Sequence, residues 1–171
     1  MMMVYHGSYT AIEMPLAKAG RRNLDFGQGF YLTNLKKQAS EWAKVIASRK
    51  GRSATPTISV YSLDLEKAKN DGIKIKEFTE YNLEWLDYVV DCRKGTTAWK
   101  NFDVIEGGVA NDKVIDTVED YEKGIITAEQ ALGQLRYKKV NHQICITSQK
   151  VIDRYLHFIE SFTIKDEEDR R

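Results

Sequence analysis

The side chains best suited to chemistry in this chain are a histidine, two aromatics and an amide, each close to a glycine or another turn-prone residue. His6 ends the apolar run Met2–Tyr5 and is followed by Gly7-Ser8, which puts an imidazole at a strand end, where sheets present side chains to ligands. An imidazole there serves equally as a hydrogen-bonding group for a ligand or as a side chain satisfied by its own turn. Tyr31 lies in Asp25-Phe26-Gly27-Gln28-Gly29-Phe30-Tyr31-Leu32-Thr33. Its two glycines, two residues apart, let the backbone turn tightly and admit a close neighbour before it becomes a strand. Trp42 follows eleven residues later in a predicted helix. If that helix folds back beside the strand, Tyr31 and Trp42 form two walls of one cleft; the same pattern also suits a core. In Asn141-His142-Gln143-Ile144-Cys145-Ile146-Thr147, alternation places His142, Ile144 and Ile146 on one face and Gln143 with Cys145 on the other. Arg21-Arg22, in a connecting segment, suit either phosphate or solvent.

The elements that must position these groups follow from periodicity. The helix after Tyr31 is capped by Thr33 or Asn34 and spaces Leu35, Ala39, Trp42 and Ile46 by 4, 3 and 4 residues, the predicted buried face, before Gly51 ends it. Thr57–Leu63 and Gly72–Phe78 alternate as strands. Thr79 is the predicted cap of a helix reaching about Arg93, with Leu83, Leu86, Val89 and Val90 buried and Trp85 and Tyr88 at its edge. Phe102–Ile105 reads as a short strand opening into Glu106-Gly107-Gly108, with Glu106 solvated. A helix over about 112–122 precedes the capping box Thr127-Ala128-Glu129-Gln130, which starts another. A helix over about 148–156 and a strand over about 157–164 complete an α+β pattern. No repeat or linker divides the chain, so residues 1–164 are expected to form one domain. The tail 165–171, without an apolar residue, is expected to be disordered.

Composition narrows the classes. The 26 Lys and Arg against 25 Asp and Glu create no strong overall field toward nucleic acid or membrane, although Lys36-Lys37 and Lys138-Lys139 form local basic pairs. Cys92 and Cys145 have neither metal-ligand spacing nor the density of a disulfide framework, and read as buried thiols in a reducing compartment. His6, His142 and His157 offer no close ligand spacing, so no metal is expected. Without a signal-peptide pattern or a membrane-length apolar run, the expected location is cytoplasmic. The chain contains no Walker-type phosphate loop, dinucleotide fingerprint or serine nucleophile elbow.

The order of motifs resembles the diphtheria-toxin-like, His-Tyr-Glu branch of the ADP-ribosyltransferases, which includes the poly(ADP-ribose) polymerases and many bacterial toxins. Tyr5-His6-Gly7-Ser8 is similar to that family's first-strand motif, Phe26 to Thr33 to its glycine-framed tyrosine strand, and Trp42 to its second nicotinamide-stacking aromatic. Asn141 to Ile146 is similar to the late strand, with Gln143 where the family has glutamate. The closest likeness is to uncharacterised bacterial domains from genes that resemble toxin–antitoxin units.

The resemblance implies a split, mostly antiparallel sheet with flanking helices, and NAD as substrate. It implies mono-ADP-ribosyl transfer to a macromolecular acceptor, protein or nucleic acid, with an antitoxin protein as partner. His6, Tyr31 and Gln143 are then the catalytic set, and His6, Gly7, Ser8, Arg21, Arg22, Gly29, Tyr31 and Trp42 the NAD-binding set. His6 would bond the adenosine ribose, Gly7 would offer backbone groups to the nicotinamide amide, Tyr31 and Trp42 would sandwich its ring, and Gln143 would reach a ribose hydroxyl. A neutral amide puts no full charge beside the cation that develops on the sugar, which leaves three readings. Either Gln143 is used as it stands, or the domain only binds or senses NAD and acts through a protein partner, or a glutamate has been disarmed. On charge alone, Gln143→Glu is expected to raise NAD cleavage.

Overall fold

The computed structural model describes residues 1–110, 114–136, 138 and 141–164. The expected tail at 165–171, the predicted helix start at Asp112 and the Lys139 half of a basic pair lie outside them. In chain order the elements are β1 (Met2–Ser8), β2 (Phe30–Leu32), α1 (Lys36–Lys50), β3 (Thr57–Leu63), α2 (Leu65–Asn70), β4 (Ile75–Glu77) and α3 (Leu83–Arg93). There follow β5 (Val104–Gly107), α4 (Ile115–Glu122), α5 (Ala128–Leu135), β6 (Gln143–Ile146), α6 (Gln149–Tyr155) and β7 (Leu156–Thr163). The fold is α+β, as expected.

The strands make two sheets, ordered β1-β3-β7 and β2-β6-β5-β4, antiparallel throughout except for β4 beside β5. Among the described residues a single bridge joins them: the Tyr5 N–H donates to Thr33 O at 2.8 Å and the Thr33 N–H to Tyr5 O at 3.0 Å. On one face of the second sheet Phe30, Leu32, Val104, Ile144 and Ile146 meet Val4, Tyr61 and Leu63 of the first, so one core spans both. On its other face Ile105 and Cys145 meet Phe26, Trp85, Val89, Val118 and Leu135 from the loop and from α3, α4 and α5. This is the period-2 alternation read from the sequence, with both faces buried.

Three local expectations are corrected. The buried stripe of α1 is Ala39, Ala43 and Ala47, whereas Leu35 and Trp42 are 43% and 45% exposed. The cause is Gly7: a Cβ built there would lie 2.1 Å from Ala39 O and 2.8 Å from Ala43 N. A helix that close to β1 accepts only methyl groups on its inner face, and the larger residues turn outward. Second, α3 is capped by the Asn82 side chain, which accepts from the Trp85 N–H, rather than by Thr79. Trp85 is fully buried instead of at the edge, its indole N–H donating to Gly108 O at 3.0 Å, and Leu83 is exposed. Third, residues 65–70 form α2, capped by Asp64, where no helix was expected. The capping box at Thr127 and Gln130 is present as read.

Candidate functional site

His6 and Tyr31 meet at the seam where the two sheets part, and Gln143 lies on β6, the strand beside β2. Beyond the Tyr5–Thr33 bridge β1 and β2 no longer pair as strands, and the His6 side chain takes up the freed backbone: Nδ1 lies 2.7 Å from Tyr31 O. A carbonyl oxygen only accepts, so Nδ1 carries the hydrogen and Nε2 keeps its lone pair. The ring stacks on Phe30 with centroids 4.5 Å apart. Burial holds the His6 pKa below its ordinary 6.5, against the opposing effect of the Tyr31 carbonyl. The imidazole is therefore neutral at neutral pH, and Nε2 is an acceptor suited to a hydroxyl.

Tyr31 closes the glycine loop on itself. Its hydroxyl donates to Gly27 O at 2.7 Å and accepts from the Phe26 N–H at 3.0 Å. Burial raises its pKa well above the ordinary value, so it stays a neutral phenol. The glycines act by contact. A Cβ at Gly29 would meet Cys145 Sγ at 2.5 Å, one at Gly20 would meet Gly29 O at 2.2 Å, and one at Gly27, where φ is +80°, would strike the Trp99 ring. The Gly20 contact and the Gln28 amide, which donates to Lys18 O and Gly20 O, fold the connection back so that the exposed Arg21 and Arg22 follow directly on a residue touching Gly29. Ser8 is buried.

Gln143 opens β6 opposite Gly107 and is 7% exposed. Its Nε2 donates to Gly108 O at 3.2 Å. Sequence reading gave Asp25 no role. Its Oδ2 accepts from the Ala110 N–H at 2.9 Å and its Oδ1 lies 3.3 Å from Arg93 Nη1. Burial pushes its pKa up, while the Ala110 N–H, Arg93 and Gln143 pull it down. Tyr31 lies within the field of the same carboxylate. Asp25 thus joins the tyrosine loop to Arg93 of α3 and to Ala110. Its only signal in the sequence was its place as the one charged residue opening an otherwise apolar and glycine-rich motif.

Glu106, expected to be solvated, is instead paired. The His142 Nδ1 accepts from the Asn34 N–H at 3.1 Å, so Nε2 donates to Glu106 Oε1 at 2.7 Å. Gln38 donates to His142 O at 2.7 Å. These bonds fix the start of α1 to the start of β6. Trp42 stands on the next turn of α1, its neighbour Ala43 over Gly7 and its exposed ring 5.8 Å from the Arg49 guanidinium. No ring contact joins Trp42 to Tyr31 among the described residues. Two hollows of about 370 and 630 Å³, one at the end of α1 and one between α5 and residues 80–82, are lined by none of the predicted site residues.

Among the described residues no helix is long and apolar enough to cross a membrane, and no three His, Cys, Asp or Glu side chains gather as metal ligands would. Cys92 and Cys145 are both free and buried, and burial raises both thiol pKa values, Cys92 to about 12. No curated protein matches the chain. A family model described as "Protein of unknown function (DUF3990)" matches residues 2–158, a stretch that contains every residue of the predicted site, and the chain belongs to that family.

Proposed function

We propose that this protein is an NAD-dependent mono-ADP-ribosyltransferase of the bacterial toxin type, acting at the seam between its two sheets on a macromolecular acceptor. The observation that carries the proposal is the bond from His6 Nδ1 to Tyr31 O at the parting of β1 and β2, with Gln143 on the neighbouring strand. It supports the order His, Tyr, Gln as one site rather than three unrelated positions. In the reaction, the bond from ribose C1′ to the nicotinamide nitrogen breaks and nicotinamide leaves neutral with the electron pair. The acceptor's nucleophile then bonds to C1′ and gives up its proton. The work left to the protein is orientation and charge stabilisation.

In this reading the neutral His6 accepts a ribose hydroxyl through Nε2, and Tyr31 and Trp42 flank the nicotinamide ring. Gln143 bonds the nicotinamide ribose, and Arg21 and Arg22 meet the diphosphate. Incubating the protein with NAD and candidate acceptors, and following free nicotinamide together with adduct mass, tests it. Release of nicotinamide with a matching mass gain on an acceptor is expected. NAD binding without release favours the second reading, an NAD-sensing module that acts through a protein partner; the 7% exposure of Gln143 is the feature that favours it.

A further inference from the structure

The charge of this chain is unevenly placed. From Lys36 to Arg52 stand six basic residues, Lys36, Lys37, Lys44, Arg49, Lys50 and Arg52, against the single acid Glu41, and all six are exposed. The whole chain has 26 Lys and Arg against 25 Asp and Glu, so everything outside this stretch is net negative. Helix stability does not account for the concentration. Arg49 and Lys50 suit the last turn of α1, but Lys36 and Lys37 stand in a first turn without an acidic residue, where the helix dipole opposes cations. Aromatic rings accompany the charges. Lys36 lies 4.7 Å from the centre of the Phe162 ring, Arg49 5.8 Å from that of Trp42 and Lys50 5.0 Å from that of Tyr9, and Trp42 and Tyr9 are exposed. The hollow of about 370 Å³ at the end of α1, with Lys44, Ser48 and Arg52 in its wall, makes that end concave and cationic.

We propose that the outer face of α1 binds single-stranded nucleic acid. Cations spread along about 22 Å of helix suit the phosphates of an extended strand. Exposed rings beside them suit unpaired bases, which a duplex keeps stacked inside. Two rival partners fit less well. An anionic membrane takes up a helix whose apolar face is free, whereas the inner face of α1, Ala39, Ala43 and Ala47, is already seated on β1. An acidic protein segment would answer the charges but does not call for the rings. The face also leads to the proposed site, since Gln38, one turn before Trp42, donates to the carbonyl of His142, the residue before Gln143. On the NAD reading above, on which this step rests, the nucleic acid is the acceptor. The nucleophile that bonds to C1′ and gives up its proton then belongs to a nucleotide.

The test uses the full chain and a labelled single strand of about 12 nucleotides, RNA and DNA in turn, followed by fluorescence anisotropy without NAD from about 50 to 200 mM salt. Binding is expected, weakening with salt at a logarithmic slope of about 0.7 for each phosphate engaged, and a duplex of the same sequence should bind less tightly. Lys44→Gln, Lys50→Gln and Arg52→Gln together should weaken binding at least tenfold and lower the slope by about 2. The same change at Lys67, Lys69 and Lys123, which pair with carboxylates elsewhere on the surface, removes equal charge and should have little effect. No binding at about 50 mM salt overturns the proposal. So do equal weakening by both sets of variants, tighter binding of the duplex, and displacement of the strand by a glutamate oligomer or anionic vesicles as readily as by unlabelled strand. With NAD present, an adduct on the strand that the α1 variants lose, while they release nicotinamide without acceptor as wild type does, supports the acceptor assignment. Binding confined to α1 with no nicotinamide release keeps the surface and removes the transferase reading. Release with adducts on proteins alone keeps the transferase and removes nucleic acid as its acceptor.

Discussion

Replacing Gly7 by Ala adds one methyl group where there is no room for it. The new Cβ would stand 2.1 Å from Ala39 O and 2.8 Å from Ala43 N, both backbone atoms of α1 that cannot rotate aside as a side chain can. Restoring ordinary contact distances requires the helix to retreat by about 1 Å. Gly7 does not have a positive φ, so Ala meets no backbone strain and even gains about 0.4–1 kcal/mol by restricting the unfolded chain. Against that stands an overpacking cost of about 1–3 kcal/mol, at the upper end because the obstruction is backbone. The net loss is about 1–2 kcal/mol, or roughly 2–8 °C in Tm for a chain of this size. Gly133, inside α5, is the control: nothing lies within 4 Å of its Cβ, so Gly133→Ala should gain about 0.5–1 kcal/mol. Differential scanning calorimetry of the two variants should show shifts of opposite sign. A Gly7→Ala protein as stable as wild type would refute the close seating of α1 on β1, and with it the placement of Trp42.

Further outcomes follow from burial and hydrogen bonding. Trp42→Ala should leave stability within about 0.5 kcal/mol, since the ring is 45% exposed, yet weaken NAD binding by about 1 kcal/mol in a fluorescence titration; unchanged affinity would remove Trp42 from the site. For His6, whose folded pKa lies below 6.5, the unfolded chain binds more protons between the two values. Its contribution is therefore complete above pH 6.5 and lost as pH falls through 6.5 to the folded value. His6→Gln should flatten the acid side of the stability–pH curve measured by urea unfolding, and an unaltered slope would count against a buried, neutral His6. Glu106→Ala should cost about 1–3 kcal/mol by leaving the His142 N–H unpaired, whereas Glu106→Gln should cost less; equal effects would mean that the bond does not matter.

What the sequence made legible was whatever one element decides alone. The bounds of β3 and the box at Thr127 came from alternation and a reciprocal cap, both local. The inner face of α1 did not, because hydrophobicity favours Leu35 and Trp42 while the space over Gly7 admits only Ala39, Ala43 and Ala47, a fact about two elements at once. The same holds at the site. His6, Tyr31 and Gln143 stood out by type and spacing, but the Asp25 bond from the Ala110 N–H spans 85 positions of sequence. Glu106 looked solvated because its partner His142 arrives from β6.

The strand order also has a consequence for how the protein is made. Its second and third strands wait for late partners: Leu32 pairs with Ile144, and Thr57 with Thr163. At ribosomal speeds of about 5–20 residues per second, the interval between the synthesis of β2 and that of β6 is on the order of ten seconds. During that time the tyrosine loop has no Cys145 behind Gly29, and His6 has no completed sheet beside it. The seam is thus absent from every nascent chain that has not yet produced residue 146, and it can form only once nearly all of the described residues exist.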